Sequence, residues 1–233
     1  MKKLITYFIA LVMTFGLVEA QETFQGTLNY DFKMMGEGVE AYQAMLPTGM
    51  SMTVLKSDMI IEMQGGMAAM MMGKIIVKGK KGLSYMIKDS EETIYVMDPA
   101  KMKGDDDEAE KPEPTITKED ETLTIAGYEC QKYKVEAESP QGTVTQYVWV
   151  TDKLKMPEMK SSGNMAGGMG GGLSMKGLPG IPLKTMNVQG PMTVIMTVKE
   201  VDLKLPSKKL FKLPKGYAKE DFDMEAMMKS MGG

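Results

Sequence analysis

The strongest constraint on this chain is a two-residue alternation of apolar and polar side chains along much of its length. In Thr27-Leu28-Asn29-Tyr30-Asp31-Phe32-Lys33-Met34 every second residue is apolar. Extended backbone points successive side chains to opposite sides, so this pattern predicts a strand with one buried face. Met59, Ile61 and Met63 repeat it against Asp58 and Glu62, and Met192, Val194, Met196 and Val198 continue it in a long strand towards Leu203. Ile75 to Lys78, Leu83 to Lys88 and Thr93 to Met97 read as further strands, with Asp89-Ser90-Glu91-Glu92 as a hairpin turn between the last two. Lys132 to Glu138 and Thr143 to Thr151 form a second hairpin around Ser139-Pro140-Gln141-Gly142. About nine or ten strands in hairpin order predict an antiparallel sheet and exclude a βαβ fold.

Several strands are apolar on both sides, as in Tyr147-Val148-Trp149-Val150 and Ile60-Ile61. Both faces must be covered there, by helices, a second sheet or an apolar ligand. Helix candidates are few: Gly38 to Leu46, Met67 to Met72, and Lys219 to Met231. In the last, Met224, Met227, Met228 and Met231 share one face, and Asp221 and Asp223 suit the start of a helix.

Composition narrows the chemistry. The 233 residues contain no histidine and no arginine, and all 28 basic residues are lysines. Serine or cysteine triads built on histidine, imidazole metal sites and guanidinium clamps are therefore excluded. A formal charge of −3 does not suit nucleic-acid binding, which needs clustered positive charge. Gly79-Lys80-Lys81-Gly82 is a turn, not a phosphate loop, and pairs such as Glu91-Glu92 and Glu119-Asp120 read as solvated acids in polar connections. No catalytic arrangement, and no cofactor, is expected.

Residues 1–20 read as an export signal: Lys2 and Lys3, an apolar core from Leu4 to Val18, and the small-residue exit Val18-Glu19-Ala20. The apolar core is shorter than the roughly 20 residues of a spanning helix, and no later run is long enough to cross a membrane. The expected product is an exported, periplasmic or secreted protein with one β domain over 21–217 and a C-terminal helix and tail over 218–233. Within the domain, 104–114 is an acidic, proline-containing loop and 161–181 a glycine- and methionine-rich loop. The acidic run lacks the turn glycine and alternating ligands of a calcium site. Cys130 is the single cysteine, and its neighbours Ile125, Tyr128, Tyr133 and Val135 predict a buried place in a strand.

The 28 methionines admit three readings. They can fill irregular core space, line an adaptable apolar groove, or ligate a soft monovalent ion. They gather at Met67, Met70, Met71 and Met72, at the helix stripe named above, and at Met156, Met159, Met165, Met169 and Met175. With glycine freedom around it, the third group is the most ligand-like, a candidate Cu(I) or Ag(I) site.

Three segments together carry a family resemblance: Thr124-Ile125-Ala126-Gly127-Tyr128-Glu129-Cys130-Gln131-Lys132-Tyr133, Val148-Trp149-Val150-Thr151-Asp152 and Leu213-Pro214-Lys215-Gly216-Tyr217. In this order the chain resembles an exported bacterial family carried as a domain of unknown function, which is similar to the outer-membrane lipoprotein carrier-like superfamily. Gly177-Leu178-Pro179-Gly180-Ile181 also resembles a short motif of a second exported family, named for GLPGLI. The resemblance implies a strongly curved antiparallel sheet, an incomplete barrel, with a few short helices as a lid over an apolar concave face. Carriers of that superfamily place an arginine in the cavity; this chain has none, so only the fold and a general apolar-ligand role are implied.

The reading that follows is a non-enzymatic exported binding protein holding a lipid-like or other apolar ligand, with inward strand residues Tyr30, Phe32, Tyr147 and Trp149 as candidate contacts. Two alternatives stand beside it: a periplasmic Cu(I)/Ag(I) binder using the methionine-rich loop, and a structural or assembly component of the envelope.

Overall fold

A computed structural model describes residues 22–41, 46–101, 113–139, 142–159, 177–190 and 192–223. The strands are β1 (Glu22–Thr23), β2 (Gly26–Gly36), β3 (Gly49–Leu55), β4 (Asp58–Gln64), β5 (Lys74–Lys78), β6 (Leu83–Lys88), β7 (Thr93–Met97), β8 (Thr115–Ile125), β9 (Tyr128–Ser139), β10 (Gly142–Thr151), β11 (Leu154–Lys155), β12 (Ile181–Gln189), β13 (Met192–Asp202) and β14 (Ala218–Asp221). One α-helix, α1 (Gly66–Met72), joins β4 to β5. Twelve strands form a single sheet in the order β14-β7-β6-β5-β4-β3-β2-β13-β12-β10-β9-β8, and β1 and β11 form a small parallel pair beside it.

The hairpin order predicted from alternation holds over most of this sheet. The expected antiparallel character is corrected at one edge, where β14 pairs parallel to β7, so the sheet is mixed. Its two ends are not joined to each other among the described residues.

Local sequence explains the turns. In the IAGY segment, Ala126 and Gly127 both have positive φ, at 48° and 86°, and Ile125 pairs with Tyr128 across them. That is a two-residue hairpin whose handedness suits strand twist, and glycine supplies the second position without strain. Glu92 likewise adopts a left-handed conformation closing the turn between β6 and β7. Gly180 serves a different need: a Cβ there would lie 1.9 Å from the Thr151 carbonyl oxygen. The backbone of the GLPGI segment must pass this close for β12 to enter the sheet beside β10.

Six strands escaped the sequence reading: the two-residue β1 and β11, the four-residue β14, and three longer ones. β3 alternates well, but its Gly-Met-Ser-Met start carries little β propensity. The middle of β8 is Lys-Glu-Asp-Glu; Glu119-Asp120 lies in this exposed edge strand, not in a polar connection. β12 opens on Ile181-Pro182, so the glycine-rich loop ends before Ile181. The helix expected over 219–231 is corrected at its start only. Ala218 to Asp221 is extended, with the Ala218 N–H donating to the Glu92 carbonyl and the Phe222 N–H to the Val96 carbonyl. The open edge of β7 offers these partners, and pairing there sets the conformation of 218–221. Residues 224–233 lie outside the described residues, as do 102–112 of the acidic loop and 160–176 of the glycine-rich loop. The predicted Met67–Met72 helix is observed. Of Gly38–Leu46, Val39–Ala41 forms a 3-10 turn and 42–45 are not described.

Registers sort the side chains of β2 to β7 into two faces. Leu28, Tyr30, Met50, Met52, Val54, Met59, Ile61, Ile75, Val77, Met86 and Met97 share one face and belong to the main buried cluster. The opposite face carries Leu55, Ile60, Ile76, Ile87 and Ile94, a second buried cluster. Its cover comes from the C-terminal segment: Phe211, at the end of a 3-10 turn Lys208–Phe211, packs on it together with Leu213 and Tyr217. The Lys78 ammonium ties this cover down by donating to the Phe211 carbonyl at 2.8 Å and to Asp58 at 2.8 Å. Tyr217 donates its hydroxyl to Asp89 at 2.9 Å. The two-sided apolar pattern at Ile60-Ile61 is thus satisfied by the chain's own LPKGY segment.

Candidate functional site

The four aromatic candidates fall on two faces. Phe32 pairs with Met196, Met196 with Thr185, and Thr185 with Val148. Asp31 pairs with Thr197, Thr197 with Lys184, and Lys184 with Trp149. Directly paired residues point to the same side of a sheet, so at these pairs Trp149 and Tyr147 point away from Tyr30 and Phe32, yet Trp149 is part of the same main buried cluster as Tyr30, with Phe32 and Tyr147 packed against it. The sequence could not show this, because the parity depends on how β12 and β13 are interposed and registered.

The Tyr30 side is the methionine side. Tyr30 is buried, and burial pushes its hydroxyl pKa well above the usual tyrosine range. Around it stand Met50, Met52, Met59, Met86, Met97 and Met196, all buried, with Leu28 and Val54 fully so. Phe32, Met63 and Met72 are only half-buried where they pack on this cluster. These three lie towards the end of the sheet where β4 runs into α1, and the methionine face is only partly enclosed there.

The Trp149 side is built from aromatic rings and paired charge. The Trp149 indole is buried and donates its N–H to Glu121 at 3.0 Å. Lys184 lies 4.2 Å from the centre of its ring and Lys132 5.3 Å, with Lys132 also 4.8 Å from the Tyr147 ring. Lys132 forms ion pairs of 2.9 Å with both Glu119 and Glu121. Donating hydrogen bonds to these carboxylates raises the Lys132 pKa, and the Lys132 hydrogen bond holds Glu121 below the ordinary carboxylate range. Gln131 reaches the Glu119 and Glu121 carbonyls, pinning the irregular register of β8 between Lys118 and Thr122. Cation and ring are mutually satisfied here, which makes a rigid structural corner.

The methionine-rich segment is only partly described. Met156 and Met159 are half-buried against the main cluster. Met159 also lines, with Gly79, Lys80 and Glu158, an open depression of about 460 Å³. Met165, Met169 and Met175 lie outside the described residues. Cys130 is buried in β9, and burial raises its thiol pKa to about 11, which keeps it protonated and unreactive at neutral pH. Among the described residues, no helix is long and apolar enough to cross a membrane.

These features define a class: a mainly β protein built on one twelve-stranded mixed sheet, with a methionine-rich buried face and a lysine-aromatic corner on the other side. The chain belongs to the family described as domain of unknown function DUF4412, whose model matches residues 24–217. The predicted membership in such a family is thereby shown. The crystal structure of LprF from Mycobacterium bovis is similar at 11% identity and a TM-score of 0.34, covering 83% of this chain and 90% of that one. At that level no role passes from it to this chain. No curated protein matches.

Proposed function

We propose that this protein is a non-enzymatic, exported binding protein that holds a lipid-like or other apolar ligand against the methionine face of a curved sheet. The observation that carries the reading is the chemistry of that face. Seven methionines, Met50, Met52, Met59, Met63, Met86, Met97 and Met196, stand on neighbouring strands around Tyr30 and Phe32. Unbranched thioether side chains re-pack at low cost, which suits a surface that must close on itself when empty and open around an apolar chain.

A curved sheet is part of the same proposal. Twelve strands laid flat would span roughly 50 Å. Among the described residues, the main cluster joins this face to Met72 of α1, to Phe24, Leu154, Met156, Met159 and Phe222, and to Ile125, Cys130 and Trp149 from the other half of the sheet. Curling the sheet over an apolar face would bury that face with the sheet's own strands. Phe32, Met63 and Met72, half-buried at one end, form the way in, and Tyr30 lies deeper.

Lipid extraction and native mass spectrometry of the purified protein test the proposal. A co-purifying apolar compound is expected, with lower occupancy in a folded Phe32→Lys variant. A protein that is empty and takes up no fluorescent fatty-acid probe would overturn it.

A further inference from the structure

Helix α1 reads Gly66-Met67-Ala68-Ala69-Met70-Met71-Met72 and contains no polar side chain. It is nevertheless outward-facing: Met70 is 84% exposed and Met67 51%, with Met71 half-buried. Met72 alone of the four methionines packs on the main cluster. Helical geometry explains the division. Met67, Met70 and Met71 stand at i, i+3 and i+4, an arc of roughly 100°, while Met72 continues round towards the sheet. Side chains at these spacings begin about 5–6 Å apart at Cβ. Met72 packs the helix on the sheet, and the Gly73 N–H closes its last turn by donating to the Ala69 carbonyl at 3.2 Å.

Burial therefore accounts for Met72 and leaves Met67 and Met70 exposed and Met71 half-buried on neighbouring positions of one helix face. A thioether sulfur is neutral and polarizable, and it selects closed-shell soft monovalent ions over hard divalent ones. No acidic residue lies in the first turn of α1, so the helix itself supplies nothing that favours a hard cation. Three flexible arms from adjacent helical positions can enclose one ion from one side.

We propose that Met67, Met70 and Met71 form a binding site for a single Cu(I) or Ag(I) ion through their Sδ atoms. The site uses no residue of the Met156–Met175 segment and is independent of any apolar ligand on the methionine face.

Silver(I) is the probe of choice because it undergoes no redox change. The full chain is titrated in chloride-free buffer, with stoichiometry read by native mass spectrometry and affinity by calorimetry. The comparison is Met67→Leu/Met70→Leu/Met71→Leu, which keeps the apolar surface and removes the sulfurs. The variant is expected to bind one fewer Ag(I), and Met70→Leu alone to weaken that site about tenfold. Met70 is so exposed that its single variant folds even if the triple one does not. In protein labelled with 13C at the methionine methyls, the three helix signals should shift first. Equal stoichiometry and affinity in wild type and Met70→Leu, or first shifts elsewhere, would overturn the site. A patch that only docks on an apolar partner would give that equal result, since leucine preserves it.

Discussion

The sheet has two halves that solve the same problem with different chemistry. From β2 to β7 both faces are apolar: methionines and Tyr30 on one side, isoleucines on the other. From β8 to β13 both faces again carry buried apolar residues, Ile125, Cys130 and Trp149 in the main cluster and Val135, Val148 and Val150 in a third, but here Trp149 lies between Lys132 and Lys184 with Glu121 on its indole N–H. The first half needs an added cover and takes it from residues 208–217. The second covers an aromatic ring with lysine stems and carboxylates from its own strands, which needs no extra segment. Apolar area stabilises the one, and directional contacts hold the other.

Removing the cover should have the largest effect. Phe211→Ala uncovers the isoleucine face and is expected to cost about 3 kcal/mol, read from urea unfolding. A loss below about 1 kcal/mol would mean that the C-terminal segment is not what seals this half. Trp149→Phe keeps a ring but removes the indole donor, and about 1–2 kcal/mol is expected. If its cost matched that of Phe211→Ala, the distinction between area and direction would fail.

Smaller changes sharpen the contrast. Met52→Leu conserves volume and should cost less than about 1.5 kcal/mol in the same measurement, as an adaptable face predicts. The smallest effect is in acid. Glu121 titrates below its ordinary value in the folded protein because of its hydrogen bond from Lys132. A lowered folded pKa adds stability that is present above the unfolded value and lost as pH falls through the folded one. Glu121→Gln should therefore flatten the stability profile below about pH 4.5 and leave its slope near pH 7 unchanged. An unaltered acid limb in a set of unfolding curves would remove Glu121 from this account.

Much of the fold was legible because alternation is a local signal. β2, β4, β5, β6, β7, β9, β10 and β13 were each visible as short periodic runs, and the turn at Asp89 to Glu92 was visible from its composition. β8 was not, because its charged centre looks like a loop until one sees that it is an exposed edge. Nor was β14, whose extended form depends on the open edge of β7. The site was less legible. Tyr30, Phe32, Tyr147 and Trp149 were recognisable as strand residues, yet nothing local separates the first two from the last two. The Trp149 corner was missed altogether, because Lys132, Lys184 and Glu121 are far apart in the chain and each looks like an ordinary surface charge.

The sequence alone determined a β protein with hairpin connectivity, a buried Cys130 and chemistry without imidazole or guanidinium, since periodicity and residue type act over a few neighbours. Tertiary structure decided the rest: strand order, the mixed edge, the face to which each aromatic ring points, and which methionines are buried or left to solvent. Those outcomes depend on registers between distant strands, and a shift of one residue in any of them would turn every side chain of that strand to the other side.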